Sequence, residues 1–283
     1  MRFLHLRFIM TPDRSPSPET SGGSHTPAVA PLVGWLTEIR VAAAFLTRFP
    51  VRLVAADATI PVASAARAFP LVGLGVGFVG GAVYAVSDLV GMSSTIAALL
   101  AIAALVIATG GLHEDGLADC ADGLGGRTRE DALAIMRDSR IGTFGMIALF
   151  FVLSLRVTAL SYAGGLAEAV LVMLAAAAGS RATLPALMYL LPPARPDGLG
   201  WAAGQPDRRR VVDAGAIGAV VIVAALGPIW GLLAIAAAAG AALAVGWLAH
   251  RRLGGHTGDV LGAGQQLSET GILLAYMVSP SWI

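Results

Sequence analysis

Lysine is absent from the 283 residues, cysteine occurs once, and charged side chains make up only 13%, about half the share usual in soluble domains. Each shortage excludes something. A single cysteine, Cys120, rules out an internal disulfide framework, and the residue reads as a small filler beside acidic groups. So little charge, set against 56% hydrophobic residues and a mean hydropathy of +0.75, excludes a soluble domain. It implies a membrane chain whose backbone polar groups are satisfied inside helices. The formal net charge of +1 says little about partners, and no nucleic-acid partner is expected. That all 19 basic residues are arginine points to a GC-rich genome more than to a mechanism.

What is present is an alternation of apolar runs and arginine-bearing segments. Residues 1–31 hold a Ser, Thr, Pro and Gly-rich stretch (TPDRSPSPETSGGSHTPAVAP) that cannot bury enough apolar surface to order itself. It reads as a tail, and Arg7 interrupts the apolar core that a cleavable signal peptide would need. Residues 32–283 read as a single membrane-embedded catalytic domain. About 20 apolar residues cross a bilayer, and six stretches qualify: 69–90, 94–112, 141–163, 168–191, 212–228 and 230–249. Short links join them in pairs, so the expected fold is all-α, a polytopic bundle of about six spans in three hairpins. A seventh short segment at 271–282 stays open, and 34–49 reads as an amphipathic helix along the membrane face.

Arginine decides the orientation. The hairpin tips carry Asp88 and Glu168 but no Arg, whereas 32–68, 113–140, 192–211 and 250–270 carry Arg40, Arg48, Arg52, Arg67, Arg127, Arg129, Arg137, Arg140, Arg195, Arg208 to Arg210, Arg251 and Arg252. By the positive-inside rule these four segments face the cytoplasm of a multi-pass protein in the cell inner membrane.

One of them opens with GGLHEDGLADCADGLGG (110–126), which places one Glu and three Asp within nine residues just after an apolar run. On a helix, Asp115, Asp119 and Asp122 fall at i, i+4 and i+7 and share one face. Carboxylates so gathered repel one another unless a hard divalent cation compensates them, and oxygen-only ligands suit Mg²⁺. Gly116 and Gly123 keep bulk away from a ligand approaching the acids. Downstream, Asp138 can complete a metal site while Arg137 or Arg140 clamps phosphate oxygens. His113 has three readings: general base, a partner behind the metal ligands, or an interfacial residue. Glu114 lies off the aspartate face and is expected to be solvated. The stretch 251–269 reads as a Gly-rich loop carrying Asp259 and Glu269. Arg181 sits at mid-membrane depth, where it needs an acidic partner; Arg156 is similar, with no partner evident.

These pieces describe a metal-dependent reaction on a phosphorylated substrate at a cytoplasmic membrane surface. The aspartate spacing is similar to that of the CDP-alcohol phosphotransferases, but the Ala-Arg continuation of that pattern is missing. An intramembrane prenyltransferase would need a second aspartate-rich helix. A cation or metabolite transporter would keep its ionisable groups near the bilayer midplane.

AFLTRFPV (44–51), RAFPLVGLGVG (67–77), the 110–126 segment, IMRDSRIGTFG (135–145), SR (180–181) and LGGHTGDVLGA (253–263) with Glu269 resemble the cobalamin synthase family, the adenosylcobinamide-GDP ribazoletransferases of vitamin B12 (cobalamin) biosynthesis. Glu114 departs from the pattern, standing where that family has an apolar residue. The resemblance implies a phosphotransferase-type enzyme in which the 5′ oxygen of α-ribazole, or of its 5′-phosphate, attacks adenosylcobinamide-GDP and releases GMP with Mg²⁺ present. It implies further that Asp115, Asp119 and Asp122 hold the metal and that Asp138 supports it. Arg140 and Arg181 would neutralise phosphate charge, Asp259 and Glu269 would form the opposite wall, and His113 or a carboxylate would serve as base. The lipid bilayer is the other implied partner.

Overall fold

A computed structural model describes residues 34–55 and 57–278; the tail expected over 1–31 lies outside them. Among the described residues there is no strand, and eleven α-helices follow one another. Helix α1 (Trp35–Leu46) occupies the stretch expected to be amphipathic and leads through short 3-10 turns into α2 (Phe69–Leu89). Helix α3 (Ser94–Thr109) returns from α2, with the Ser93 hydroxyl accepting from the Ile96 amide at its start. After α4 (Leu112–Gly123) and α5 (Arg129–Ile135) come α6 (Thr143–Ser161) and α7 (Leu166–Leu190), joined by a short link. A short α8 (Gly198–Ala202) precedes the hairpin of α9 (Arg208–Leu226) and α10 (Pro228–Leu253), and α11 (Gly258–Met277) closes the bundle.

Two of the three expected hairpins pack helix on helix, α2 with α3 and α9 with α10, whereas α6 lies against α3, α4 and α11 and α7 against α2, α9 and α11. The bundle is packed in the manner lipid favours, with small residues inside and large ones outside. The buried face of α7 runs Ala175, Ala176, Ala177, Ala178 and Gly179, while Phe78, Ile107, Phe150, Ile229, Leu232 and Trp247 are exposed. Helix α2 crosses α7 backbone to backbone. A Cβ at Gly73 would lie 2.4 Å from the Ala177 carbonyl oxygen, and one at Gly77 would lie 2.9 Å from that of Met173.

Three further expectations are corrected. First, 94–112 is not one straight span: α3 and α4 meet at 90°. Gly110 and Gly111 both adopt φ of 68°, left-handed backbone that glycine enters without a Cβ penalty and that ends α3 abruptly. Second, 251–269 is not a loop, and within the segment left open at 271–282, residues 271–277 continue the same helix, while 279–282 lie outside the described residues. Residues 258–277 form α11, whose inward face buries Gln265, Gln266, Ser268, Glu269 and Thr270. Such polar content hides the helix from a hydropathy reading, yet surrounding helices shield it and its backbone bonds are internal. Third, six spans become four helices long and apolar enough to cross a membrane, or five if the bent α3–α4 pair counts as one. Neither α9, with three arginines in its first turn, nor α11 is among them.

Candidate functional site

The site grows from α4. Its twelve residues have almost no net hydrophobicity and carry the acids where the reading placed them. Helix α11 runs antiparallel across it at a glycine contact. A Cβ at Gly116 would lie 2.8 Å from the Asp259 carbonyl oxygen, and one at Gly262 would lie 3.1 Å from that of His113. Glycine on both helices therefore brings the first turn of α11, with Asp259, against α4 between Asp115 and Asp119. Asp115 is exposed and Asp119 is buried.

Asp122 has a second task. One of its carboxylate oxygens accepts from the Gly142 amide at 2.7 Å and the other from the Gly145 amide at 2.8 Å. The carboxylate thus caps the start of α6, whose own N-cap residue, Gly142, has no side chain to do so. A Cβ at Gly142 would fall 2.4 Å from that carboxylate, which explains glycine in IGTFG.

An all-carboxylate donor set on one helix face matches what a hard divalent cation takes, and Asp122 retains lone pairs beyond its two amide contacts. Among the described residues, no three His, Cys, Asp or Glu side chains are gathered as a ready ligand set. The face is therefore right in chemistry without being drawn together.

On the surface, Asp138 and Arg140 pair with each other at 2.7 Å, and the guanidinium holds the Asp138 carboxyl down to about 2. Arg137 pairs with Asp197 at 2.9 Å, Asp197 lies 3.3 Å from Arg195, and Arg195 lies 3.7 Å from Asp259. This chain of alternating charge ties the MRDSR segment to the start of α11. Arg195 was not singled out in the sequence, because nothing in PPARPDG distinguishes it from an anchoring positive charge.

Asp259 and Glu269 do not share a wall. They stand ten residues apart on α11, about 15 Å along a helix, and Glu269 is buried deep in the bundle. There it bonds the Arg156 guanidinium and the Gln265 amide and lies 3.7 Å from Arg181. Arg181 has the acidic partner its depth requires, and also donates to the Ala177 carbonyl at 3.0 Å. Arg156, for which the sequence showed no partner, has Glu269, the Gln266 carbonyl oxygen at 2.7 Å and Glu114 at 4.0 Å. Glu114 is therefore not solvated: it is 9% exposed and accepts from the Gln266 amide at 2.9 Å. His113 is buried beside these groups, and neither ring nitrogen has a hydrogen-bond partner. Buried charge thus lies inside the bundle, as the positions of Arg156 and Arg181 in the sequence implied. The signal for the network was the mid-helix arginine in LSLRVTAL. Its partners became visible only once 258–277 was seen to be a helix.

The chain matches known proteins over most of its length. The family described as Cobalamin-5-phosphate synthase matches residues 38–277. A protein of Bradyrhizobium diazoefficiens named adenosylcobinamide-GDP ribazoletransferase is 47% identical over 84% of this chain and 92% of its own. A protein of the same name from Azorhizobium caulinodans is 42% identical over 86% and 96%. No solved structure matches. The matched span takes in every part of the site, from α1 to the last turn of α11, and with it the chain belongs to the cobalamin-5-phosphate synthase family.

Proposed function

We propose that the chain is a Mg²⁺-dependent transferase that joins adenosylcobinamide-GDP to α-ribazole, or to its 5′-phosphate, and releases GMP at the cytoplasmic side of the cell membrane. The observation that carries this is the α4 face, fixed at one end by the amides of α6 and along its length by α11, in a chain of this family. Asp115, Asp119 and Asp122 would hold Mg²⁺, with Asp138 in support. When bound, the ion offsets the charge of the diphosphate and of the departing GMP.

The protein's own groups do the rest. The ribazole hydroxyl oxygen forms a bond to the phosphorus on the cobinamide side of the diphosphate, the bond from that phosphorus to the GMP oxygen breaks, and GMP leaves with the electron pair. The hydroxyl proton passes to a carboxylate of the α4 face, since His113, 3% exposed, is buried among the charges behind it. Arg140 orients phosphate oxygens from the surface, releasing Asp138 to do so, and Asp259 bounds the site from α11. Arg181 and Glu269 support it from the buried side, where each compensates the other.

The test uses detergent-solubilised protein with adenosylcobinamide-GDP, α-ribazole and Mg²⁺. GMP release with formation of the corrinoid product is expected, and its absence from folded protein would remove the assignment. Orientation is tested separately: a cysteine placed at Arg137 in a Cys120→Ala background should be labelled by a membrane-impermeant reagent only in inside-out vesicles.

A further inference from the structure

We infer that Arg156, which the reaction does not need as a phosphate clamp, is a positioning residue that holds the aspartate face of α4 in its metal-binding register. The inference rests on the proposed function only in taking that face as the metal site. The Arg156 side chain is 1% exposed, so it touches no substrate from solution, and its effects must pass through its neighbours.

A guanidinium can only donate hydrogen bonds. One terminal nitrogen of Arg156 donates to the Gln266 side-chain oxygen at 2.7 Å, and the other donates to Glu269. With its oxygen committed to Arg156, Gln266 must turn its amide nitrogen the other way. That nitrogen donates to Glu114 at 2.9 Å and to the Gln265 oxygen at 3.0 Å. Gln265 in turn donates to the Ser180 hydroxyl at 2.9 Å and to Glu269.

Arg156 on α6 therefore fixes the orientation of an amide on α11, and that amide holds Glu114 on α4. Glu114 precedes Asp115 directly and stands just over one helical turn before Asp119. The far end of the same acidic face is held by α6 through Asp122. Both ends of the aspartate row are thus referred to α6, one by two backbone amides and the other by Arg156. Without the guanidinium, Gln266 is free to flip and present oxygen to Glu114. The first turn of α4 then loses its tether in a low-dielectric interior, where an unpaired polar group is costly.

The test compares the parent protein in detergent with Arg156→Lys and with the charge-balanced Arg156→Met/Glu269→Gln. The first keeps the buried charge but lacks the two-pronged fork; the second removes one charge of each sign, so that Arg181 and Glu114 remain and the buried cluster keeps no net charge. Manganese titration followed by electron paramagnetic resonance is the primary readout, with thermal unfolding alongside. Expected are unfolding midpoints near the parent's in at least one variant, with Mn²⁺ binding weakened there about tenfold or more, the range typical of residues that orient metal ligands. The Mg²⁺ concentration for half-maximal GMP release should rise in step, while Gly215→Ala, where an added Cβ meets nothing within 4 Å, should leave Mn²⁺ binding unchanged.

A folded variant that binds Mn²⁺ within about twofold of the parent overturns the inference, being well short of that range. Loss of the fold in both variants would assign Arg156 to stability alone and overturns it as well, as does a parent that binds no Mn²⁺. A parent that binds Mn²⁺ in an Arg156-dependent way but releases no GMP would instead sink the proposed reaction and leave the positioning role standing.

Discussion

At the residue scale, the acids of α4 are not equivalent. Asp115 and Asp119 face the proposed metal, whereas Asp122 also caps α6 through two amides. Asp115→Asn and Asp119→Asn should abolish turnover while the protein inserts and unfolds as the parent does. Asp122→Ala should abolish turnover and also cost about 1–2 kcal/mol of stability, the usual price of a lost N-cap; thermal unfolding in detergent separates the two behaviours. Glu114→Leu, which solvation on a polar face would make mild, should destabilise by about 1–3 kcal/mol because it leaves Gln266 and Arg156 short of an acceptor. An unchanged unfolding midpoint for that variant would contradict the buried network.

At the element scale, what matters is how closely helices approach. Gly116 and Gly262 let α11 lie directly on α4, and no side chain larger than hydrogen fits between them. Gly116→Ala should push the Asp259 turn away from the aspartates and lower kcat/KM by about tenfold or more, since a displacement near 1 Å is enough for such losses. Gly215→Ala, where an added Cβ meets nothing within 4 Å, is the matched control and should be silent. The loop before α11 adds a pH effect. His256 is buried, its backbone bridges to Pro192 and Ala194, and its Nδ1 has no partner. Burial lowers its tendency to protonate below the ordinary value of 6.5. The unfolded chain therefore binds a proton that the folded chain resists as pH falls through 6.5, so stability declines on acidification through that point. His256→Asn should flatten the decline of the unfolding midpoint between pH 7 and pH 5.5, a range that brackets the ordinary histidine value.

At the scale of the whole molecule, the bundle is an inverted one, with large apolar side chains facing lipid and small ones at the helix crossings. While the buried Glu38 and Asp57 near α1 pair with Arg67 and Arg40, buried charge gathers where α4, α6, α7 and α11 meet. Glu114 and Glu269 there balance Arg156 and Arg181, so the four helices are locked by a cluster without net charge. Removing one member alone is the damaging change, because it strands its partner in the interior. Glu269→Gln should accordingly lower the unfolding midpoint more than Arg156→Met/Glu269→Gln does, although the double variant removes more charge.

The amino-acid sequence by itself determined the class of fold, the hairpins α2–α3 and α9–α10, the family resemblance and the acidic row of α4. These are local matters: apolar run length, arginine bias and helical spacing are all read within a few turns of one segment. Only the tertiary structure decided that 258–277 is a helix, that Asp122 caps α6, that Glu114 is buried and that Arg156 has partners. Each of these depends on residues from another helix, 20 and 23 positions away for Asp122 and 110 to 152 for Arg156 and Glu114, or on neighbours that shield polar side chains from lipid. A polar helix is stable at membrane depth only because other helices surround it, and its own composition carries no record of them.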